Sequence, residues 1–139
     1  MQAAIASLFE LPLEEVPEFV KLEDSHHHLI QFAYEKGYEF YGTLYNFINS
    51  LEKYRTIKNL KKEKYTGIDG YFYACVYSPK YYKYCEEQDN ILQVTHAVII
   101  DKNYNIVHDP NPNNINVVYP RADVLGYNGI IDVFLIDKK

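Results

Sequence analysis

Hydrophobic and polar residues follow a helical period in the first third of this chain and a strand period in much of the rest. Apolar residues recur three and four positions apart over residues 2–10, which predicts a helix buried on most sides that Pro12 ends. The same period predicts a second helix from residue 24 or 25 to about residue 36, where Gly37 ends it. The amino-terminal part of the chain is therefore predicted to be helical.

Strand patterns dominate after this part. A short strand over residues 38–41 is predicted to precede a third helix, which Thr43 would cap. Helices followed by a mostly antiparallel sheet predict an α+β fold of two packed layers, in one domain over residues 1–139. Runs rich in β-branched and aromatic residues predict strands over residues 71–77, 94–100, 105–108 and 130–136.

Two of these strands form a predicted hairpin that carries a histidine and an aspartate. The strands at 94–100 and 105–108 are separated by the turn-prone residues 101–104. A loop of that length places His96 opposite Asp109, with their Cβ atoms roughly 4.5 to 5.5 Å apart. A carboxylate there can fix the tautomer of an imidazole and stabilise its protonated form, as a general base in nucleophilic catalysis requires. His96 and Asp109 are therefore the candidate catalytic residues.

A purely structural role for the same pair remains open. A histidine and an aspartate near strand ends often form a local hydrogen bond, and Asp109 stands before Pro110, a common way to start a turn. His108 is adjacent to Asp109, but strand alternation predicts that it points to the opposite face of the sheet. His108 is therefore the weaker candidate for the base.

Charge and composition exclude several kinds of partner. The 14 basic and 19 acidic side chains give a net charge of -5, which argues against nucleic acid or an anionic membrane. No stretch is apolar over the roughly 18 residues that a membrane span needs, and no signal-peptide pattern follows Met1, so a cytoplasmic location is expected. The consecutive histidines 26–28 would spread around a helix and could not all face one ion, so no metal site is predicted. No other cofactor is predicted either.

Tyrosine is unusually frequent in this chain. There are 15 tyrosines and no tryptophan, and aromatic residues are dense between positions 71 and 84. Aromatic residues on a strand usually pack in the core, but they could also line a groove. Tyr71, Tyr73 and Tyr77 are therefore candidate substrate-binding residues.

Segments from the start, middle and end of the chain together resemble a known family. They are QAAIASLFELPLEEVPEFV, GIDGYFYACVYSP and HAVIIDKNYNIVHDPNP, and in this order they resemble phage and bacterial proteins of the papain-like cysteine peptidase fold. The His-Ala-Val strand paired with His-Asp-Pro-Asn-Pro is the most specific part. The resemblance implies a papain-like domain with a cysteine thiolate at a helix start, His96 as the base and Asp109 as the orienting residue.

The catalytic cysteine of this family is missing from the numbered sequence. In the family pattern it belongs immediately before the position of Met1, at the end of a Gly-Asp-Cys segment. One interpretation is a chain truncated just after the nucleophile, which is favoured because the first predicted helix starts without a cap. A pseudoenzyme that retains the fold is the second, and a nucleophile relocated to Cys75 or Cys85 is the third.

The function implied by the resemblance is hydrolysis or acyl transfer at a peptide, isopeptide or amide bond of a peptide or protein. The chain as numbered is then expected to be inactive, because it has the His/Asp pair without the cysteine. The alternative function is that of a non-catalytic binding module of phage origin. Such a module would hold a protein or a small ligand through the tyrosine-rich segment 71–84.

Overall fold

The structure, a computed structural model, describes residues 1–46, 57, 60–80, 82, 95–111, 113 and 117–139. Its helices are α1 (Gln2–Leu8), α2 (Ser25–Glu35) and α3 (Ala122–Leu125), with 3₁₀ turns at Leu13–Glu15, Phe19–Lys21, Leu60–Lys62 and Tyr127–Gly129. Its strands are β1 (Tyr38–Tyr45), β2 (Phe72–Tyr77), β3 (Thr95–Ile100), β4 (Ile106–His108) and β5 (Ile130–Lys138). The α+β class predicted from the sequence is confirmed.

These strands form one antiparallel sheet in the order β1-β5-β2-β3-β4. All six residues of β2 are buried because the strand is central and covered on both faces, which explains its continuous apolar run. The hairpin of β3 and β4 forms one edge of the sheet. Asp109, which follows β4, therefore lies at this edge, and His96 lies on β3, the strand next to it.

Each face of the sheet has its own apolar cluster. The helix face, to which Ala97 and Ile99 of β3 point, is covered by α1 and α2. The loop face, to which Val98 and Ile100 point, is covered mainly by residues from outside the helices, among them Ile57, Leu60, Tyr104 and Tyr119. Within the described ranges, no helix has the length and hydrophobicity to cross a bilayer.

A Schellman motif ends α1. The N–H of Leu11 donates to the carbonyl of Ala6 at 2.9 Å, and the N–H of Glu10 donates to that of Ser7 at 3.2 Å. Glu10 has a φ of 53°, in the left-handed region that suits glycine and costs a residue with a Cβ roughly 1 to 2 kcal/mol. A glutamate therefore occupies a position where the backbone favours glycine.

We expect Glu10→Gly to raise the free energy of unfolding by about 1 kcal/mol, because the left-handed backbone then carries no Cβ penalty. Chemical denaturation at neutral pH measures the change. Glu10→Ala removes the same charge but keeps a Cβ, so we expect it to change stability by less than about 0.5 kcal/mol. An equal gain in both variants would attribute the effect to charge and contradict the backbone explanation.

The predicted helices and strands are found within two residues of their expected bounds, except for the third helix and for β1, which ends at Tyr45 rather than at residue 41. β1 continues through Thr43, which pairs with Phe134 of β5. Thr43 is therefore not a helix cap, because pairing with a neighbouring strand outweighs the local capping preference. Leu44 of that predicted helix also lies in β1, and its further apolar residues Phe47, Ile48 and Leu51 lie outside the described residues.

Candidate catalytic site

His96 and Asp109 lie in direct contact. Nε2 of His96 is 2.6 Å from Oδ1 of Asp109, and the two side chains are 21% and 13% exposed. In a neutral ring Nε2–H donates to the carboxylate, which makes Nδ1 the nitrogen that can accept a proton. The contact predicted from the hairpin is present, and its catalytic role remains a prediction.

The predicted register of the hairpin is wrong, because Ile100 pairs with Ile106 rather than with Asn105 and because β4 contains a bulge. Val107 is an extra residue between the pair Ile100–Ile106 and the pair Ile99–His108. An extra residue on one strand shifts the pairing and reverses the side to which the following residues point. The observed register therefore differs from the predicted one by one residue at Ile100 and by two residues at Ile99.

The bulge decides where the next two residues point. His108 pairs with Ile99 and so lies on the helix face. Asp109 follows it in sequence and by alternation points to the loop face. It reaches His96 from a diagonal position rather than from the directly opposite one. The expectation that His108 and Asp109 point to different faces agrees with this arrangement.

Two further groups hold the carboxylate of Asp109. The backbone N–H of Asn111 donates to Oδ1 at 2.9 Å, and the hydroxyl of Tyr119 donates to Oδ2. Tyr119 is 7% exposed and belongs to the apolar cluster of the loop face. The sequence analysis missed Tyr119, because it lies 10 residues beyond Asp109 with no periodic pattern that predicts its position.

The start of α1 lies at the same end of β3 as His96. Burial lowers the pKa of the Met1 amino group, and the nearby thiol of Cys75 opposes this shift. Cys75 pairs with Ala97, the residue after His96. His96 itself points to the loop face because successive strand residues alternate. The helix start therefore approaches β3 beside His96, but from the helix face.

The environment of Cys75 argues against its being the nucleophile. Burial raises the pKa of its thiol to about 12, and the carboxyl group of Asp132 adds to the rise, while hydrogen bonds with Tyr73 and Thr95 oppose it. A thiol with this pKa is not ionised at neutral pH, so it reacts slowly with electrophiles. Cys85, the other candidate, lies outside the described residues.

Asp132 is an acid that the sequence analysis did not single out. It pairs with Cys75 between β2 and β5, and its Oδ1 is buried with no hydrogen-bond partner among the residues that the structure describes. Burial raises its pKa to about 7, although a hydrogen bond from the N–H of Val133 opposes the rise. The run IIDVFLI, with one acid among apolar residues, is the signal that could have identified it.

Two of the three candidate substrate-binding tyrosines are buried in the core of this structure. Tyr73 is 2% exposed and Tyr77 is 4% exposed, and both lie in the helix-face cluster under α1. Tyr71 is 44% exposed and lines a cavity of about 240 Å³ together with Ser7 and His108. Of the three, Tyr71 is the one that a ligand can reach in this structure.

A groove of about 510 Å³ borders the His/Asp pair. Its walls include Asp109 and Tyr119, the strand β4 and residues 117–119. Two exposed aliphatic side chains also line it, namely Val107 and Val118, which are 48% and 84% exposed. Exposed apolar side chains beside a concave surface are typical of a binding site.

The consecutive histidines do not form a metal site. The ring of His26 packs edge-on against Phe40 and Phe134, with centroid distances of 5.2 and 5.8 Å. In the part of the chain that the structure describes, no group of three or more His, Cys, Asp or Glu residues could hold a metal ion.

Comparison of the chain with protein-family models, with curated proteins and with solved structures gives no match. The fold defines the protein as an α+β protein with a five-stranded antiparallel sheet.

Proposed function

We propose that this protein is a papain-like cysteine hydrolase or acyltransferase that acts on a peptide or amide bond. His96 is the proton carrier, and Asp109 is the carboxylate that orients it. The observation that supports this most is the 2.6 Å contact between Nε2 and Oδ1 in a partly buried position. Both oxygens of the Asp109 carboxylate accept further hydrogen bonds, from Asn111 and from Tyr119. These hydrogen bonds keep the carboxylate in the position from which it orients the His96 ring.

The nucleophile in this proposal is a cysteine immediately before Met1, where the family pattern has it. Met1 lies near Cys75, and Cys75 is hydrogen-bonded to Thr95, the residue before His96. A side chain one position before Met1 would therefore lie near the end of β3 at which His96 stands. Because His96 points to the loop face, the sulfur would have to reach it around the end of the strand.

In the proposed reaction, Nδ1 of His96 takes the thiol proton and the sulfur attacks the carbonyl carbon. The carbon–nitrogen bond then breaks, the imidazolium protonates the leaving amine, and a thioester remains. A water molecule next gives a proton to Nδ1 while its oxygen attacks the thioester, which releases the acid and restores the thiol. Asp109 stabilises the imidazolium in both halves of the reaction.

A chain that carries Gly-Asp-Cys before Met1 tests this proposal. We expect iodoacetamide to alkylate the added cysteine at least about tenfold faster than a free thiol near pH 6.5, because His96 stabilises the thiolate. We expect His96→Ala to remove this advantage. Mass spectrometry of the digested protein identifies the labelled cysteine and gives the rate.

His108→Ala is the matched control, because the side chain of His108 lies on the helix face beside Ser7, whereas Asp109 points to the loop face. It should keep the fast labelling. Cys75 is an internal reference, since its raised pKa should leave it unlabelled while the protein is folded. If His96→Ala labels as fast as His108→Ala, the proposed role of His96 is wrong.

Peptide binding without catalysis is a second function, and the groove beside Asp109 favours it. The exposed side chains of Val107 and Val118 give this groove an apolar lining, which a bound peptide would cover in place of water. The groove would replace the tyrosine-rich segment as the binding surface, because Tyr73 and Tyr77 are buried. Slow labelling of the added cysteine, together with binding of an extended aliphatic peptide in this groove, would favour a binding module over a hydrolase.

A further inference from the structure

We propose that Tyr119 is a positioning residue for His96, and that Gly129 is the residue that permits it to act. Tyr119 acts through Asp109, since its hydroxyl donates to Oδ2 while Oδ1 faces the imidazole. The relevance of this arrangement to catalysis rests on the proposed function, whereas the contacts themselves can be tested without any activity.

Hydrogen bonds on both oxygens of Asp109 fix the plane of its carboxylate. A carboxylate bound on one side only can turn about its last torsion, which has broad minima. Oδ1 of Asp109 faces two donors, Nε2 of His96 at 2.6 Å and the N–H of Asn111 at 2.9 Å. The hydroxyl of Tyr119 adds a donor on Oδ2. Donors on both oxygens fix the plane, so that Oδ1 stays directed at His96.

Tyr119 is held by packing in the apolar cluster of the loop face. Its ring is 7% exposed and belongs to the loop-face cluster that includes Val98 and Ile100. These are the residues of β3 that point to the same side as His96. The ring that orients Asp109 and the strand that carries His96 therefore share one packed support, which limits their relative movement.

Gly129 lies against Tyr119 and leaves the space that Tyr119 occupies. A Cβ at Gly129 would stand 3.0 Å from the Cβ of Tyr119 and 3.5 Å from that of Ala122, and the φ of Gly129 is +80°. Gly126 has a φ of +69°, but a Cβ there would meet nothing within 4 Å. Both glycines have a positive φ that residues with a Cβ rarely adopt, and Gly129 also leaves room for Tyr119. A side chain at Gly129 is therefore expected to displace Tyr119 and, through it, Asp109.

The exchange of the Nε2 proton of His96 with water reports this positioning directly. In the 139-residue chain we expect NMR to show a slowly exchanging Nε2 proton, with ¹⁵N shifts of one tautomer, because Asp109 accepts that proton. In Tyr119→Phe we expect exchange about tenfold faster and a mixture of tautomers, because the carboxylate can then turn away.

Tyr104→Phe is the matched control for the hydroxyl. Tyr104 is 5% exposed in the same cluster, and its hydroxyl accepts a hydrogen bond from the N–H of Leu60 at 2.9 Å. Removal of this hydroxyl leaves the buried N–H of Leu60 without its acceptor, so Tyr104→Phe should lower the stability of the protein, as Tyr119→Phe should. The exchange rate of the His96 proton should stay within about twofold of that of the unaltered chain, because Asp109 keeps its donors.

The pair Gly129→Ala and Gly126→Ala gives a second, independent comparison. Both variants strain a backbone of positive φ, but only the first places a methyl group against Tyr119. We expect faster exchange of the His96 proton in Gly129→Ala and an unchanged rate in Gly126→Ala. This pair also keeps the inference testable if Tyr119→Phe does not fold.

Three results would overturn the inference: no protected Nε2 proton in the unaltered chain, a Tyr119→Phe rate like that of Tyr104→Phe, or equal rates in the two glycine variants. None of these measurements needs a nucleophile. A failure of the proposed function would appear in the cysteine-labelling rates instead, so the two failures can be told apart.

Discussion

The free energy of unfolding is expected to fall by up to about 4 kcal/mol between roughly pH 4 and pH 8 because of Asp132 alone. Burial raises the pKa of this carboxyl group from 3.8 to about 7 in the folded protein. Each unit of difference between the folded and unfolded pKa is equivalent to about 1.4 kcal/mol.

The sign follows from which state binds the proton more tightly. Between pH 3.8 and about 7 the folded protein keeps the proton of Asp132 and the unfolded chain has lost it. The stabilisation from this proton is therefore complete below the unfolded pKa and is lost as the pH rises through the folded one. Urea denaturation at intervals over this range measures the loss.

Asp132→Asn should flatten the pH dependence, because an amide does not titrate in this range. The matched control is Asp137→Asn, on the same strand, whose carboxylate accepts hydrogen bonds from Thr66 and from the N–H of Lys138. This variant should keep most of the slope of the unaltered chain. An Asp132→Asn variant with an unaltered slope would show that another group causes the pH dependence.

Gly67→Ala is expected to lower the free energy of unfolding by at least about 3 kcal/mol. A Cβ on Gly67 would stand 2.3 Å from the carbonyl oxygen of Tyr71 and 3.0 Å from the ring of Phe72, and its φ is +69°. The carbonyl oxygen belongs to the backbone and cannot move away at low cost. The N–H of Gly67 also donates to Ile136 of β5, so the clash disturbs a link between this turn and the sheet.

Gly70→Ala separates the steric effect from the conformational one. Gly70 has a φ of +89°, but a Cβ there would meet nothing within 4 Å. We expect a loss of about 1 kcal/mol for the strained backbone alone. Thermal or chemical denaturation of both variants gives the difference. Equal losses at the two positions would contradict the predicted clash at Gly67.

The prediction for Asp132 concerns the part of the sheet on which α1 packs. Asp132 and Cys75 are paired across β2 and β5, and Met1 lies close to Cys75. A buried acid that titrates near neutrality beside the helix start will influence any ionisable group placed before Met1. The labelling rates proposed above should therefore be measured at several pH values, with Asp132→Asn as a reference.

Local patterns were sufficient to predict most of the elements. The 3.6-residue period and the glycine at position 37 predicted α2, and β-branched runs around a polar turn predicted the hairpin of β3 and β4. Thr43 was the exception, because a good capping residue also fits a strand when a neighbouring strand offers hydrogen bonds. Local preference is weaker than the pairing with β5.

The candidate pair was predicted for a partly wrong reason. A continuous register pairs His96 with Asp109 directly, whereas the one-residue shift at Ile100 and the bulge at Val107 together place Asp109 diagonally to His96. The contact forms nevertheless, because both side chains point to the loop face and a diagonal pair is still within reach. A bulge of one residue leaves no clear mark in an alternating sequence, so it could not be predicted.

The α+β class, the hairpin and the histidine and aspartate at its ends can be predicted from sequence alone, because these features depend on neighbours within a few positions. Contacts between distant parts of the chain place Tyr119 between Asp109 and Gly129, bury Tyr73 and Tyr77 in the core, and bury Asp132 beside Cys75. Each of these depends on which strands become neighbours and which face a helix covers. The packing of the whole chain determines the order of the strands and the face that each helix covers, so neither can be predicted from local sequence.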